Sequence, residues 1–297
     1  MFCVQCRRIL EPRTYLWLRM ESFQCTADRE ALNALKSTGA LPYLVDRLLL
    51  KPREQEQREF LSRRQVPLSS FKGLERLVEE CAHLLSLESL PELYVINGTG
   101  SPNAFTFGND DAPTIVLDRR LVETLVPDEL RALLGHEMGH IKSRHLLYHR
   151  LADCLASGVE ISSSLMGLNL IPATLRLALL AWHRESEFSA DRASLISSGN
   201  PDHVASMFAR LIGRRRAPIS QGRLLEYVAE IFQSHPNLLE RIRAVYEFSR
   251  SRDYAAIVQM IRRRIMFREA FASKCQFCGA SKPVESIFCP ECERSQV

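Results

Sequence analysis

Residues 135–140 read Gly-His-Glu-Met-Gly-His, so His136 and His140 frame a glutamate in an H-E-x-x-H pattern. Residues four apart on a helix project about 40° from one another, so both imidazoles face one point and can share a Zn²⁺. Glu137, next to them in sequence, can take a proton from a water at such an ion without binding the ion itself. Gly135 and Gly139 set this turn apart from an ordinary charged helix surface. A glycine costs about 1 kcal/mol in a helix interior, so two of them predict close packing at this site.

Two histidines leave tetrahedral zinc short of donors, because a catalytic site takes three protein ligands and keeps one position open. The stretch Arg184-Glu185-Ser186-Glu187-Phe188-Ser189-Ala190-Asp191 offers two candidates. Glu187 has Asp191 one helical turn further on, on the same face, where a carboxylate can hold the far nitrogen of a ligand histidine and fix its tautomer. Glu185 is the rival, but it lacks an acid four residues on. His145 projects about 140° from His140 on a continued helix, which excludes it from their site. His83, His149, His183 and His203 show no matching partners and are expected to be structural or surface residues.

The nine cysteines suggest a second metal site. Cys275-x-x-Cys278 and Cys289-x-x-Cys292 form two knuckles separated by ten residues, which fits a closed structural zinc in a small ribbon. A pair of disulfides is the alternative. Such a short segment cannot fold on apolar burial alone, so metal should supply its stability, and its expected role is to hold a protein partner or substrate. Cys3, Cys6 and Cys25 offer three thiols with no visible fourth ligand, and metal, redox pair and no role all stay open. Cys81 and Cys154 occupy apolar positions and read as buried packing residues. Metal-like spacing favours a reducing compartment.

The elements that must position these groups follow from pattern. With 297 residues, 46% apolar and 25% charged, the chain is globular in composition, which excludes a disordered or fibrous protein. A net charge of +4 does not demand nucleic acid, and none is expected as a partner. Helical spacing runs from Ala27 to about Ser86; three short strands are expected at Leu93–Ile96, Ala104–Phe107 and Thr114–Leu117, forming a small antiparallel sheet. Pro127 opens a helix expected to reach about Arg150, and further helices fall near 152–181, 182–198, 202–213, 223–232 and 237–265. The stretch Ile161 to Leu175 is interrupted by three serines, Asn169 and Pro172. It falls short of the ~20 apolar residues of a bilayer span and reads as a buried or interfacial hairpin. No secretory signal is visible, so the chain is expected to be cytoplasmic, with membrane contact at most peripheral at the cytoplasmic face. Residues 201–270 hold 13 Arg, no Lys and 7 acids, a solvated basic face or a surface for an anionic membrane or acidic partner.

The chain resembles the M48 family of zinc metallopeptidases, the group of HtpX and the CAAX prenyl protease, over roughly residues 27–250. Four blocks carry the resemblance: Pro102-Asn103-Ala104-Phe105, Gly135 to His140, Glu187-Phe188-Ser189-Ala190-Asp191, and His235-Pro236 with Arg241-Ile242. The resemblance implies a mostly helical α+β gluzincin fold with a small sheet and makes Glu187 the third zinc ligand. It offers His235 as an oxyanion donor or gate, against the plainer reading of a helix-start residue. Arg241 becomes a buried ion-pair partner, and Asn103, Ala104 and Phe105 an edge strand that binds extended peptide by strand addition. HtpX and the prenyl protease carry transmembrane helices; this chain shows none convincing and looks like the soluble or peripheral members.

The expected organisation is a Cys-containing segment (1–26), a helical region (27–90), a metallopeptidase core (91–250), a helical linker (251–274) and a zinc ribbon (275–297). The expected function is zinc-dependent endopeptidase action on extended or unfolded protein segments, by Glu137-assisted attack of a zinc-activated water. The alternative is a catalytically idle binding or chaperone-like adaptor on the same scaffold.

Overall fold

The computed structural model describes residues 17–37, 39, 47, 51–98, 103–110, 112–156, 173–211, 236–272, 275, 277–280 and 291–292. Among them the architecture is mostly helical with one small sheet. The α-helices are α1 (Thr26–Lys36), α2 (Lys51–Arg64), α3 (Leu74–Leu84), α4 (Arg119–Thr124) and α5 (Pro127–Lys142), followed by α6 (Leu146–Ala156), α7 (Ala173–Ser198), α8 (Pro201–Leu211), α9 (Pro236–Ser249) and α10 (Arg252–Ala272). The strands are β1 (Glu92–Ile96), β2 (Ala104–Asn109) and β3 (Ala112–Asp118).

All three strands fall where their alternation places them, but the sheet is mixed rather than antiparallel. Its order is β1-β3-β2, with β2 antiparallel and β1 parallel to the central β3. Adjacent β2 and β3 form a hairpin, and β3 takes the place between β2 and β1, so the first and third strands, which run the same way, become parallel neighbours. The outer edge of β1 meets Gln65 through a bridge to Ile96; among the described residues no strand lies beyond β2.

The contact that builds the molecule is α5 on α7. A Cβ on Gly135 would stand 2.5 Å from Ser197, and one on Gly139 2.7 Å from Ala193 and 2.9 Å from the Ala190 backbone. The two glycines therefore let the helices approach to a distance any side chain would forbid. Around this contact lies a core that includes Leu77 of α3, Val95 of β1, Leu117 of β3, Leu134 and Met138 of α5, Leu195 of α7, Val204 of α8 and Val245 of α9. A second cluster joins Leu32 and Leu35 of α1, Tyr148 and Leu151 of α6, and Leu179 and Trp182 of α7.

Two expected helices are corrected. The helix expected to reach Arg150 ends at Lys142, because Arg144 adopts the left-handed conformation (φ 58°). The Arg144 and His145 N–H groups bond back to the Ile141 and His140 carbonyls at 3.1 and 3.0 Å, a Schellman ending with arginine where glycine is usual. The expected break near 181 is absent: α7 runs unbroken to Ser198, with neither glycine nor proline to stop it there. The last expected helix is instead two, since the Ser251 hydroxyl accepts the Tyr254 N–H at 3.1 Å and caps a new start.

Several expectations fall outside the described residues: Cys3, Cys6, His235, Cys289, the side chain of Cys154, the helix near 223–232 and most of the 161–175 stretch. No helix among the described residues is long and apolar enough to cross a membrane. Part of the basic stretch is structural. Arg210 pairs with Glu129 at 2.6 Å, and Arg264 donates to the His83 and Leu84 carbonyls at 2.6 and 3.1 Å, closing the end of α3.

Candidate metal centre

Helix α5 carries His136 and His140 on one face, and α7, locked against it by the glycines, carries Glu187. The Nε2 atoms of the two histidines stand 3.3 Å apart. Glu187 brings one carboxylate oxygen to 3.6 Å from His136 Nε2 and the other to 3.5 Å from His140 Nε2. Donors about 2.1 Å from a tetrahedral ion lie about 3.4 Å from one another, so this triangle has the size zinc requires. Two imidazole lone pairs aimed at each other over such a distance also need a cation or a proton between them. The donor set fits zinc. Glu185, the rival acid, is not among the three converging donors.

The far nitrogens are both occupied. His136 Nδ1 donates to Asp191 Oδ1 at 3.0 Å. Asp191 is in turn gripped by Arg241 of α9, whose Nε and Nη2 each donate at 2.7 Å, while Arg241 Nη1 reaches Glu187 at 2.9 Å. Burial pushes the Glu187 carboxyl up, but Arg241 and then His136 outweigh it and hold it at about 2. Asp191 is likewise held below the usual aspartate value, its burial outweighed by Arg241 and by the His136 hydrogen bond. Both carboxylates are thus fully charged at neutral pH.

His140 is supported differently. Its Nδ1 lies 3.1 Å from Nδ1 of His145, and His145 Nε2 lies 3.1 Å from Asp28 of α1. Because an aspartate only accepts, His145 carries its hydrogen on Nε2, leaving its Nδ1 to accept from His140. His140 Nε2 then keeps its lone pair for a metal. Asp28 also accepts from Trp182 Nε1 at 2.8 Å, Ser189 Oγ at 2.6 Å and Gln24 Nε2 at 3.0 Å, and both Asp28 and His145 are fully buried. Burial pulls His140 well below the usual imidazole range, and His136 and then His145 push the same way, which keeps it neutral.

Excluding His145 from the site is therefore corrected. The projection assumed one continuous helix, and the Schellman ending folds His145 back over His140. The expectation that His149 and His183 lack partners also fails: their rings lie 4.4 Å apart, and His149 lies 4.3 Å from the His140 ring.

Glu137 is buried on the same face. Thr106 of β2 donates to its carboxylate at 2.6 Å. Burial pushes the Glu137 carboxyl up, and the opposing pull of His136 and of the Thr106 hydrogen bond does not cancel it. A cleft of about 300 Å³ opens over this group, lined among others by Asn103, Ala104, Phe105, Thr106, Glu137 and His149. Thr106 had no sequence signal beyond its place between two phenylalanines, of which Phe107 is buried beside Leu61, Tyr94 and Val116.

At the C-terminus the thiols of Cys275, Cys278 and Cys292 lie within 4.8 Å of one another, those of Cys275 and Cys292 at 3.6 Å. Burial raises the Cys275 thiol, but N–H bonds from Cys278 and Phe277, with the neighbouring thiols, together outweigh it and hold it at about 6. Cys25 and Cys81 are raised by burial, Cys81 to about 12, in keeping with packing for the latter.

The sequence profile of Peptidase family M48 matches residues 69–249. The chain belongs to peptidase family M48. Its M48 relatives include the plastoglobule-localized metallopeptidase 48 of Arabidopsis thaliana, 31% identical over 221 residues, which are 67% of this chain and 63% of that protein. A protease HtpX homologue of Moorella thermoacetica is 28% identical over 244 residues, 69% of this chain and 78% of its own. Another, from Kineococcus radiotolerans, is 29% identical over 219 residues, 60% and 74%. The match thus spans less than two thirds of the Arabidopsis protein. No solved structure matches the chain. The M48 segment contains His136, His140, Glu187, Asp191 and Arg241, but begins 41 residues after Asp28.

Proposed function

We propose that this chain is a zinc endopeptidase acting on extended or unfolded protein segments. The observation that carries the reading is the convergence of His136 Nε2, His140 Nε2 and Glu187 beside a buried Glu137 in an open cleft. His136, His140 and Glu187 would hold the ion, which when bound supplies a Lewis acid for the carbonyl and the water. The chain's own residues do the rest. Glu137, held by Thr106, takes the proton of the attacking water and returns it to the leaving nitrogen. Its raised affinity for protons suits it to both tasks. Asn103, Ala104 and Phe105 lie at the start of β2 along the cleft, on an edge paired with no strand among the described residues, where an extended main chain can add as a strand. That mode reads backbone rather than side chains, so it selects unfolded segments. Asp191 and Arg241 orient the ligands, and His235 is the candidate oxyanion donor or gate.

A second zinc, closed and structural, is assigned to Cys275, Cys278, Cys289 and Cys292, in a ribbon (275–297) that offers a surface to a protein partner. The three described thiols lie within reach of one ion, and a thiol held at about 6 is a ready thiolate. The remaining boundaries, 1–26, 27–90, 91–250 and 251–274, and a cytoplasmic or membrane-peripheral site of action, belong to the same reading.

Zinc-loaded protein should cleave casein, and Glu137→Gln should reduce cleavage about 10²- to 10⁴-fold while its zinc content stays unchanged. Chelators should remove the catalytic ion before the ribbon ion, since an open site exchanges faster than a closed one. Equal behaviour of wild type and E137Q would sink the peptidase reading in favour of an idle binding module.

A further inference from the structure

The M48 site does not use all the metal-binding chemistry around it. Of the eight histidines in the chain, five (His136, His140, His145, His149 and His183) lie in one contiguous group. His183 precedes Glu187 by four residues on α7, so the two share a helix face. His149 of α6 faces them, and donor atoms of His149, His183 and Glu187 all lie within 4.8 Å of one another. Ser186 ties the two histidine-bearing segments, its hydroxyl lying 2.7 Å from His149 Nε2 and donating to the His183 carbonyl at 2.7 Å.

We propose that His149, His183 and Glu187 form a second site for a divalent cation of the zinc class, beside the first and sharing its carboxylate. The donor set repeats that of the first site, two imidazoles and one glutamate. None of the three is fully buried, and His149 and Glu187 line the open cleft, which gives an ion a path in. A carboxylate has two oxygens and ample lone pairs, so one glutamate can bridge two ions, as in the paired-metal hydrolases. Imidazole donors select zinc, cobalt or nickel over calcium and magnesium. Two cations on one carboxylate repel each other, so the second site fills at higher free metal than the first.

The proposal borrows Glu187 from the peptidase reading, yet its test counts bound metal and needs no cleavage. Full-length E137Q protein, spared self-digestion, is dialysed against buffered free zinc from nanomolar to tens of micromolar, and bound zinc is counted. At the upper end it should bind one equivalent more than E137Q carrying His183→Asn or His149→Gln, with the tight equivalents alike in all three. Coincident isotherms would overturn the proposal. So would loss of a tight equivalent in either variant, which would place these side chains at the first site. Cadmium-113 resonances of the E137Q chain give a reading that requires no ligand variant to fold. Two signals in the nitrogen-and-oxygen range, apart from any thiolate signal, support the second site, and one overturns it.

Discussion

The two imidazoles of the centre face one point but are held by different parts of the molecule. His136 leans on Asp191, clamped by Arg241, and these residues all lie inside the M48 segment. His140 leans on His145 and, through it, on Asp28, which lies outside that segment. The first support is an ion-pair network between α7 and α9. The second is a chain of hydrogen bonds into α1, ending on a carboxylate that accepts from four side chains. One histidine is thus positioned wholly by residues inside the matched segment, and the other through His145 by a helix that lies before it. The comparison teaches that α1 is part of the candidate metal centre.

Breaking the first support should have the largest effect. Arg241→Leu leaves the buried Asp191 and the partly buried Glu187 without the cation that offsets their desolvation. Removing one partner of a buried ion pair typically costs about 3–5 kcal/mol, and urea unfolding of metal-free protein should show a loss of that order. A loss below about 1 kcal/mol would mean that water reaches the carboxylates and that the two supports are less different than they look.

Breaking the second support should act on metal more than on fold. Asp28→Asn swaps an acceptor for an amide of the same shape, so His145 loses the carboxylate that sets its tautomer. Zinc affinity of the first site should fall about 10- to 100-fold, the usual cost of losing such a partner. Unchanged affinity would reduce Asp28 to a packing residue. A pH arm sharpens the result. Burial raises the Asp28 carboxyl, but its hydrogen bonds, that from His145 foremost, hold it below the ordinary aspartate value. A group held low contributes stability above its unfolded value, about 4, and loses it as pH falls through the folded one. Wild type should therefore lose its advantage over D28N in acid.

The same contrast separates what the sequence revealed from what it hid. Residues spaced four apart on one helix announce a shared face, so His136 with His140, and Glu187 with Asp191, were legible, as were the glycines that bring α5 to α7. His145 was hidden because Arg144 ends the helix in a conformation normally marked by glycine. Asp28 was hidden because it meets His145 across 117 positions, with nothing local to signal it. Strand positions were legible from alternation, but the sheet is mixed because β3 rather than β2 lies beside β1, a choice no local pattern signals.

The smallest expected effect tests whether the two supports communicate. Ser189 stands on α7 between Glu187 and Asp191, yet its side chain faces α1: the hydroxyl donates to Asp28 at 2.6 Å and accepts the Cys25 N–H at 2.9 Å. It is the joint between the helix that carries the third donor and the helix that anchors the second histidine. Ser189→Ala removes both bonds but leaves Asp28 three other donors, so the cost should be about 1 kcal/mol. If the joint couples the supports, S189A and D28N combined should destabilise by less than the sum of the two alone, because D28N has already weakened the bond that S189A deletes. Strict additivity in urea unfolding would mean that Ser189 merely caps the start of α1 and that the supports are independent.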